Sequence, residues 1–399
     1  MTRADTAADH VTLPSTGVTV RYRWDGPPEA PVLVLANSLG TSMDLWGPQL
    51  AALRGRFRVL RYEHRGHGGA PAPPGPYTIG DLGADLVGLL DVLDVPSASI
   101  CGLSLGGMVA MWVASHAPQK VERLVLSCTA PALPPAQVWH DRAARARTGG
   151  TGSLLDSLAE RWFTPDFLAG HPDVFDLVAA MLTSAEAEGY AGCCEAIAAM
   201  DLTADLARIA APTLVIGGRI DPVTPPAMLA DMAQRITGAG LVVLAGASHL
   251  ANLQQPHRFT EAVVDHLVGP PAERGDRVRR AVLGDIHVER ARQRSTAFDE
   301  PFQELITRSA WGEVWTRPGL DRTTRSCLTL AMLVALGRME ELPMHLRGAL
   351  RSGLSRAQIA EVLLQTAVYC GAPAANSAFA VAQRTFDEID TAEAGAAPR

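Results

Sequence analysis

Ser104, Asp221 and His249 occur in that order along a 399-residue chain, and each follows a short apolar run. The pattern fits serine-dependent acyl transfer. His249 would take the Ser104 hydroxyl proton and return it to the leaving group, while Asp221 holds the imidazole in the productive tautomer. Ser104 lies in Gly102-Leu103-Ser104-Leu105-Gly106-Gly107, between a strand-like segment ending at Cys101 and a helix-like Met108–Val113. Small residues flanking a serine suit a strained strand-to-helix turn that leaves the hydroxyl accessible. Backbone amides for the developing oxyanion are expected at Leu39, in the small-residue loop that ends Pro31–Gly40, and at Leu105.

The elements that must position these residues are strands with their C-terminal ends on one side of a sheet. Pro212–Ile220 reads as a buried parallel strand delivering Asp221, and Leu241–Leu244 as another delivering His249. The strand and helix alternation closes near Leu267, and 399 residues exceed what one core usually holds. The expected organisation is a first domain over residues 1–268, a linker at 269–275 rich in turn formers and charge, and a second domain over 276–399. Between about 131 and 206, after the strand Leu124–Cys128, an insertion is expected to form a helical lid. Trp139 would line its apolar ceiling. Arg142, Arg145 and Arg147 cluster there, and Arg145 is the candidate for meeting a substrate carboxylate.

The second domain reads as all-helical. Thr323–Gly337 is an apolar helix bounded by glycine, Leu342–Leu350 begins another, and Ser355 starts a third, without the acid of a full capping box at Gln358. Such apolar faces on short helices predict a homo-oligomer, a trimer or hexamer, assembled through this domain. Its polar outliers are His287, Glu340, Glu341 and His345, with Glu313 and Arg317 bordering Trp311–Trp315. The residues alone leave His345 open between an interfacial and a chemical role.

With 47% hydrophobic residues there is material for both cores, and no apolar run requires a membrane. The first ten residues lack a signal-peptide pattern, so a cytoplasmic protein is the default expectation. A net charge of −7 argues against nucleic-acid binding. The six cysteines show neither metal spacing nor a disulfide framework, and no cofactor or metal is implied. Two other readings stay open on the residues alone. One is a general carboxylesterase or haloperoxidase-like hydrolase with a helical oligomerisation module; the other is a non-catalytic small-molecule-binding protein.

Asn37–Gly40, Arg61-Tyr62-Glu63-His64-Arg65-Gly66-His67-Gly68, the Ser104 motif and Ala247–Asn252 together resemble 3-oxoadipate enol-lactone hydrolases of the α/β-hydrolase fold, over residues 10 to 268. The resemblance implies catalytic roles for Ser104, Asp221 and His249, and a lactone carboxylate as substrate. Glu63 departs from the family pattern, which has aspartate or another small residue there. The segments Pro301–Gln303, Trp311–Leu320, Leu342–His345 and Gln365–Ala375, with Asp285 and Arg325, resemble 4-carboxymuconolactone decarboxylases over about 275 to 395. That family implies an alkylhydroperoxidase D-like helical fold, with His345 as proton donor and Glu313, Arg317 and Glu341 as further site members. Peroxidase-type relatives carry a C-x-x-C pair before the histidine. Arg338 and Glu341 stand at those positions here, which argues against thiol redox chemistry. The two implied reactions are consecutive.

Overall fold

Eight strands form one sheet of order β1-β2-β4-β3-β5-β6-β7-β8. They are β1 (Asp9–Thr12), β2 (Thr19–Asp25), β3 (Val32–Ala36), β4 (Arg58–Tyr62), β5 (Ala98–Leu103), β6 (Val121–Ser127), β7 (Thr213–Gly218) and β8 (Gly240–Leu244). The computed structural model describes residues 8–317 and 319–396, so Pro318 of the Trp311–Leu320 motif lies outside the described residues. The chain divides into two compact units between Leu267 and Val268.

In the first unit, β1, β2 and β4 pair antiparallel at one edge, and from β4 to β8 the sheet is parallel. Composition follows position. β5 and β7 are buried along their whole length, as parallel strands covered on both faces must be, which is why they read as continuous apolar runs. The helix Leu105–His116 lies against the sheet with ten of its twelve residues buried. Five helices fill the expected lid insertion: Ala136–Gly149, Leu155–Trp162, Pro165–Gly170, Pro172–Ser184 and Ala187–Ala199.

The second unit contains no strand among its described residues. Its helices are Pro271–Leu283, Asp285–Arg294, Glu300–Ile306, Arg322–Ala335, Leu342–Arg351, Arg356–Cys370 and Ala372–Ala396, with a π-helical stretch at Thr307–Val314. Two apolar clusters hold it, one around Leu330, Leu346, Ile359 and Leu363, the other around Val278, Val282, Val288 and Trp311. The π-helix crosses Pro271–Leu283 at a glycine contact. A Cβ on Gly275 would run into the Thr307 carbonyl, and one on Gly312 into the Pro271 carbonyl.

Two local expectations change. The supposed linker 269–275 is largely the first turn of Pro271–Leu283: Pro270 is extended, Pro271 brings a preset φ to the first helical position, and Glu273 sits in the positive first turn. At Ser355 the capping box is complete, because glutamine serves as well as an acid; Gln358 Oε1 accepts the Ser355 N–H at 2.9 Å and Ser355 Oγ accepts the Gln358 N–H at 3.1 Å. Among the described residues no helix is long and apolar enough to cross a membrane.

Candidate active sites

Ser104 follows β5 directly, with φ 54° and ψ −113°, a conformation that costs a non-glycine residue about 1–3 kcal/mol. Its surroundings enforce it. The Ser104 N–H donates to the Ser127 carbonyl at 2.8 Å, and its own carbonyl accepts from Thr129 Oγ1 at 2.8 Å. Glycine is required on both sides: a Cβ at Gly102 would overlap the Gly106 carbonyl, and one at Gly106 would overlap the carbonyl of Ala36. The elbow can therefore press directly against the loop that follows β3.

The hydroxyl of Ser104 lies 3.0 Å from His249 Nε2, and His249 Nδ1 lies 2.8 Å from Asp221 Oδ2. All three residues are buried. Burial pushes the Asp221 carboxyl up, but His249, the Thr224 hydroxyl at 2.6 Å and the Thr224 N–H outweigh it, so the pKa ends below the usual value. Asp221 thus stays ionised to orient the imidazole, and the geometry is that of a nucleophile with its base and the base's orienting carboxylate.

The loop bearing Leu39 is fixed from below. Gly106 N–H donates to Asn37 O at 3.0 Å, Trp46 Nε1 to Asn37 Oδ1 at 2.9 Å, and Asn37 Nδ2 to Tyr62 O at 2.8 Å. Glu63 Oε1 accepts the Met43 N–H at 3.0 Å and Glu63 Oε2 accepts from Asn37 Nδ2 at 3.1 Å. Burial raises the Glu63 pKa to about 7, against the opposing Met43 bond and the Arg21 and Arg61 charges. Burial lowers His67 to about 4, so its neutral ring donates from Nδ1 to Arg65 O and accepts the Gly40 N–H at Nε2. Among the described residues, the N–H groups of Leu39 and Leu105 meet no protein acceptor. They are the two amides expected to receive an oxyanion.

The cavity over Ser104 is narrow, about 20 Å³, and is lined by Leu39, His249, Trp139, Arg142, Arg161 and Tyr190 among others. Trp139 occupies the expected ceiling. Arg145 does not join it: that side chain is exposed and donates to the Ser153 carbonyl at 3.0 Å. Arg142 takes the place expected of it, with its guanidinium 4.5 Å from the Trp139 ring centre. Arg147 pairs with Glu188 and Glu195. Burial pushes up the pKa of the Tyr190 hydroxyl, and the Arg142 guanidinium beside it opposes the shift. Arg161, absent from the sequence expectations, closes Leu155–Trp162 just before the buried Trp162.

In the helical unit His345 is half-buried on Leu342–Arg351, one turn beyond Glu341. Burial lowers its pKa; Glu341 pulls it up and His287 pushes it down. His287 is lowered by burial and by Arg279 and Arg351. Three helices thus bring His287, His345, Glu341, Arg279 and Arg351 within electrostatic reach of one another. Glu313 and Arg317 are exposed, on the π-helix and just after it, and neither is among the charges acting on the two histidines. His287 was visible in the sequence only as a polar outlier, since a lone histidine before valine carries no spacing signal.

Residues 33–262 match the alpha/beta hydrolase family, and residues 300–384 match the carboxymuconolactone decarboxylase family. The first part is 39% identical over 252 residues to 3-oxoadipate enol-lactonase 2 of Acinetobacter baylyi, covering 63% of this chain and 94% of that protein. The second is 44% identical over 120 residues to the 4-carboxymuconolactone decarboxylase of the same organism, covering 30% of this chain and 90% of the relative. The crystal structure of the enol-lactonase from Burkholderia xenovorans LB400 superimposes with a TM-score of 0.64 at 42% identity, over 65% of this chain and all of that one. The chain therefore belongs to the alpha/beta hydrolase family and joins to it, in one polypeptide, a carboxymuconolactone decarboxylase domain, a pairing of hydrolase and decarboxylase enzyme classes.

Proposed function

We propose that the two units catalyse consecutive steps of protocatechuate breakdown through the β-ketoadipate pathway. The helical unit removes CO₂ from 4-carboxymuconolactone to give 3-oxoadipate enol-lactone, and the hydrolase unit opens that lactone to 3-oxoadipate. One observation carries the reading: a complete Ser104–His249–Asp221 relay shares a chain with a carboxymuconolactone decarboxylase domain. The decarboxylation makes the ester that such a relay opens.

In the first reaction the carbon–carbon bond to the departing carboxylate breaks, and its electron pair moves through the ring double bond to the lactone carbonyl oxygen. The resulting dienolate takes a proton on the carbon next to that carbonyl, and His345 supplies it. Burial keeps His345 largely neutral at rest. A dianionic substrate beside it favours the imidazolium, so the proton arrives with the substrate. The lactone carbonyl is itself the electron sink, and the reaction calls for no cofactor.

In the second reaction Ser104 attacks the lactone carbonyl while His249 takes its proton, and the N–H groups of Leu39 and Leu105 receive the oxyanion. The ring C–O bond breaks, and the enolate that leaves is protonated and becomes a ketone. Water activated by His249 then releases 3-oxoadipate. Arg142, stacked on Trp139, holds the substrate carboxylate in the role expected of Arg145.

The test follows 4-carboxymuconolactone by proton NMR with the full-length protein. The parent should form 3-oxoadipate, Ser104→Ala should accumulate enol-lactone, and His345→Ala should leave the starting lactone. A parent that opens supplied enol-lactone but leaves 4-carboxymuconolactone unchanged would remove the decarboxylase half of the reading.

A further inference from the structure

Arg279, on the helix Pro271–Leu283, is a half-buried guanidinium whose hydrogen bonds go to neutral groups. Its Nη1 donates to Thr307 Oγ1 at 3.2 Å and its Nη2 to Gln303 Oε1 at 3.0 Å, while its Nε is buried without a partner. Among the described residues no carboxylate forms an ion pair with it. The acid on the preceding turn, Asp276, is already engaged by Arg280 at 2.9 Å and Arg292 at 3.1 Å. Burial lowers the Arg279 pKa, and Arg292 adds to the effect against the pull of Asp276. Such a cation has given up water without gaining a counter-ion, and an incoming anion would restore the loss.

A groove of about 920 Å³ opens beside it, with Arg277, Arg292 and Arg308 also in its walls, alongside the carboxylates of Glu273, Asp276, Glu300 and Glu304. Its volume falls within the usual range for a small-molecule site. Arg279 also acts electrostatically on His287, which acts in turn on His345. The groove cation and the histidine pair therefore belong to one electrostatic neighbourhood, although residue 279 precedes the matched decarboxylase segment 300–384.

We propose that Arg279 anchors the carboxylate that the decarboxylase substrate retains, holding it in this groove while the other carboxylate leaves near His287 and His345. The assignment rests on the decarboxylase reading of the unit. Chemistry decides which carboxylate it takes. A guanidinium pair stabilises a carboxylate as an anion, which opposes loss of CO₂ from that group, so the cation belongs on the carboxylate that stays. Thr307 and Gln303 hold the guanidinium in place before substrate arrives, each taking one N–H of a terminal nitrogen and leaving the other for the carboxylate.

Decarboxylation kinetics of the full-length protein test this with Arg279→Gln and Arg279→Lys. Glutamine should raise KM about 30-fold and change kcat by less than about fivefold, with lysine in between. Aryl-ester hydrolysis at Ser104 and far-UV circular dichroism should stay at parent values. A glutamine variant with KM within twofold of the parent would overturn the proposal. If the parent does not decarboxylate the lactone, the functional reading fails instead, and the anion site is read on the parent by mass-spectrometric mapping of phenylglyoxal modification with and without succinate. Protection of Arg279 by succinate, with Arg145 modified at an unchanged rate, upholds the site, whereas equal modification of Arg279 overturns it.

Discussion

Ser104, Asp221 and His249 are each at most 7% exposed and joined by two hydrogen bonds, under a cavity of about 20 Å³. His345 is half-buried and His287 and Glu341 are exposed, in a unit whose groove holds about 920 Å³. The difference follows from how each unit delivers side chains. Parallel strands end in register on one side of a sheet, so the hydrolase unit can complete and bury its site within one chain. Helices deliver theirs from lateral faces, and here some of those faces are bare. Leu328, Met332 and Leu336 recur every four residues along one helix and are 48%, 55% and 70% exposed; Val368 and Tyr369 on a neighbouring helix are 77% and 79% exposed. Further copies of the chain would cover these stripes if it assembles through the C-terminal unit, as the sequence leads one to expect.

The sharpest way to break the contrast is to attack assembly. Met332→Glu combined with Leu336→Glu removes about 4 kcal/mol of apolar burial per chain from such an interface and adds like charges. Light scattering should move from a multiple of the chain mass to the single-chain mass, with hydrolysis of supplied enol-lactone within about twofold of the parent. A parent that scatters as a single chain would remove the contrast at its root. Within the hydrolase unit, Arg142→Ala should raise KM for enol-lactone about 10- to 50-fold, the worth of a charged hydrogen bond, with Arg145→Ala near parent values. Equal effects of the two in steady-state hydrolysis would return the carboxylate role to the outer arginine.

The smallest effect concerns Glu63. Its folded pKa of about 7 lies above the unfolded value, so its contribution to stability is fully present below the unfolded pKa and is lost as pH rises through 7. Relative to Glu63→Gln, the parent should lose about 1 kcal/mol of hydrolase-unit stability between pH 6 and pH 8, read by urea unfolding at each pH. A parent-to-variant difference independent of pH would mean that Glu63 does not titrate in that window.

The triad was legible because each member stands where an apolar strand stops, and strand ends are easy to find in sequence. The sequence pointed to Arg145, whereas it is Arg142 that lines the cavity, and a signal for that existed. On a wheel of about 100° per residue anchored at the buried Trp139, Arg142 falls about 60° from the inward face and Arg145 about 120°. Direction, not clustering, separated them. In the second unit the apolar helices from Thr323 onward were readable, while 271–314 was not. Pro270-Pro271 looks like a linker and is a helix start, and Arg279 sits in the charged run Arg277–Arg280, where only tertiary contacts tell which cation lacks a counter-ion.

The narrow cavity over Ser104 also bears on timing. A lactone carboxylate is large for a space of about 20 Å³; if the lid helices part to admit it, Arg142 and Trp139, both on Ala136–Gly149, would travel with them. The proposed carboxylate anchor and the door would then be one body. Capture would become a race between lid opening and loss of the visiting lactone, and the apparent affinity would be diluted by the fraction of time the lid spends shut. Solvent viscosity, which slows lid travel and leaves bond-making at Ser104 untouched, is the variable to which such an enzyme would respond.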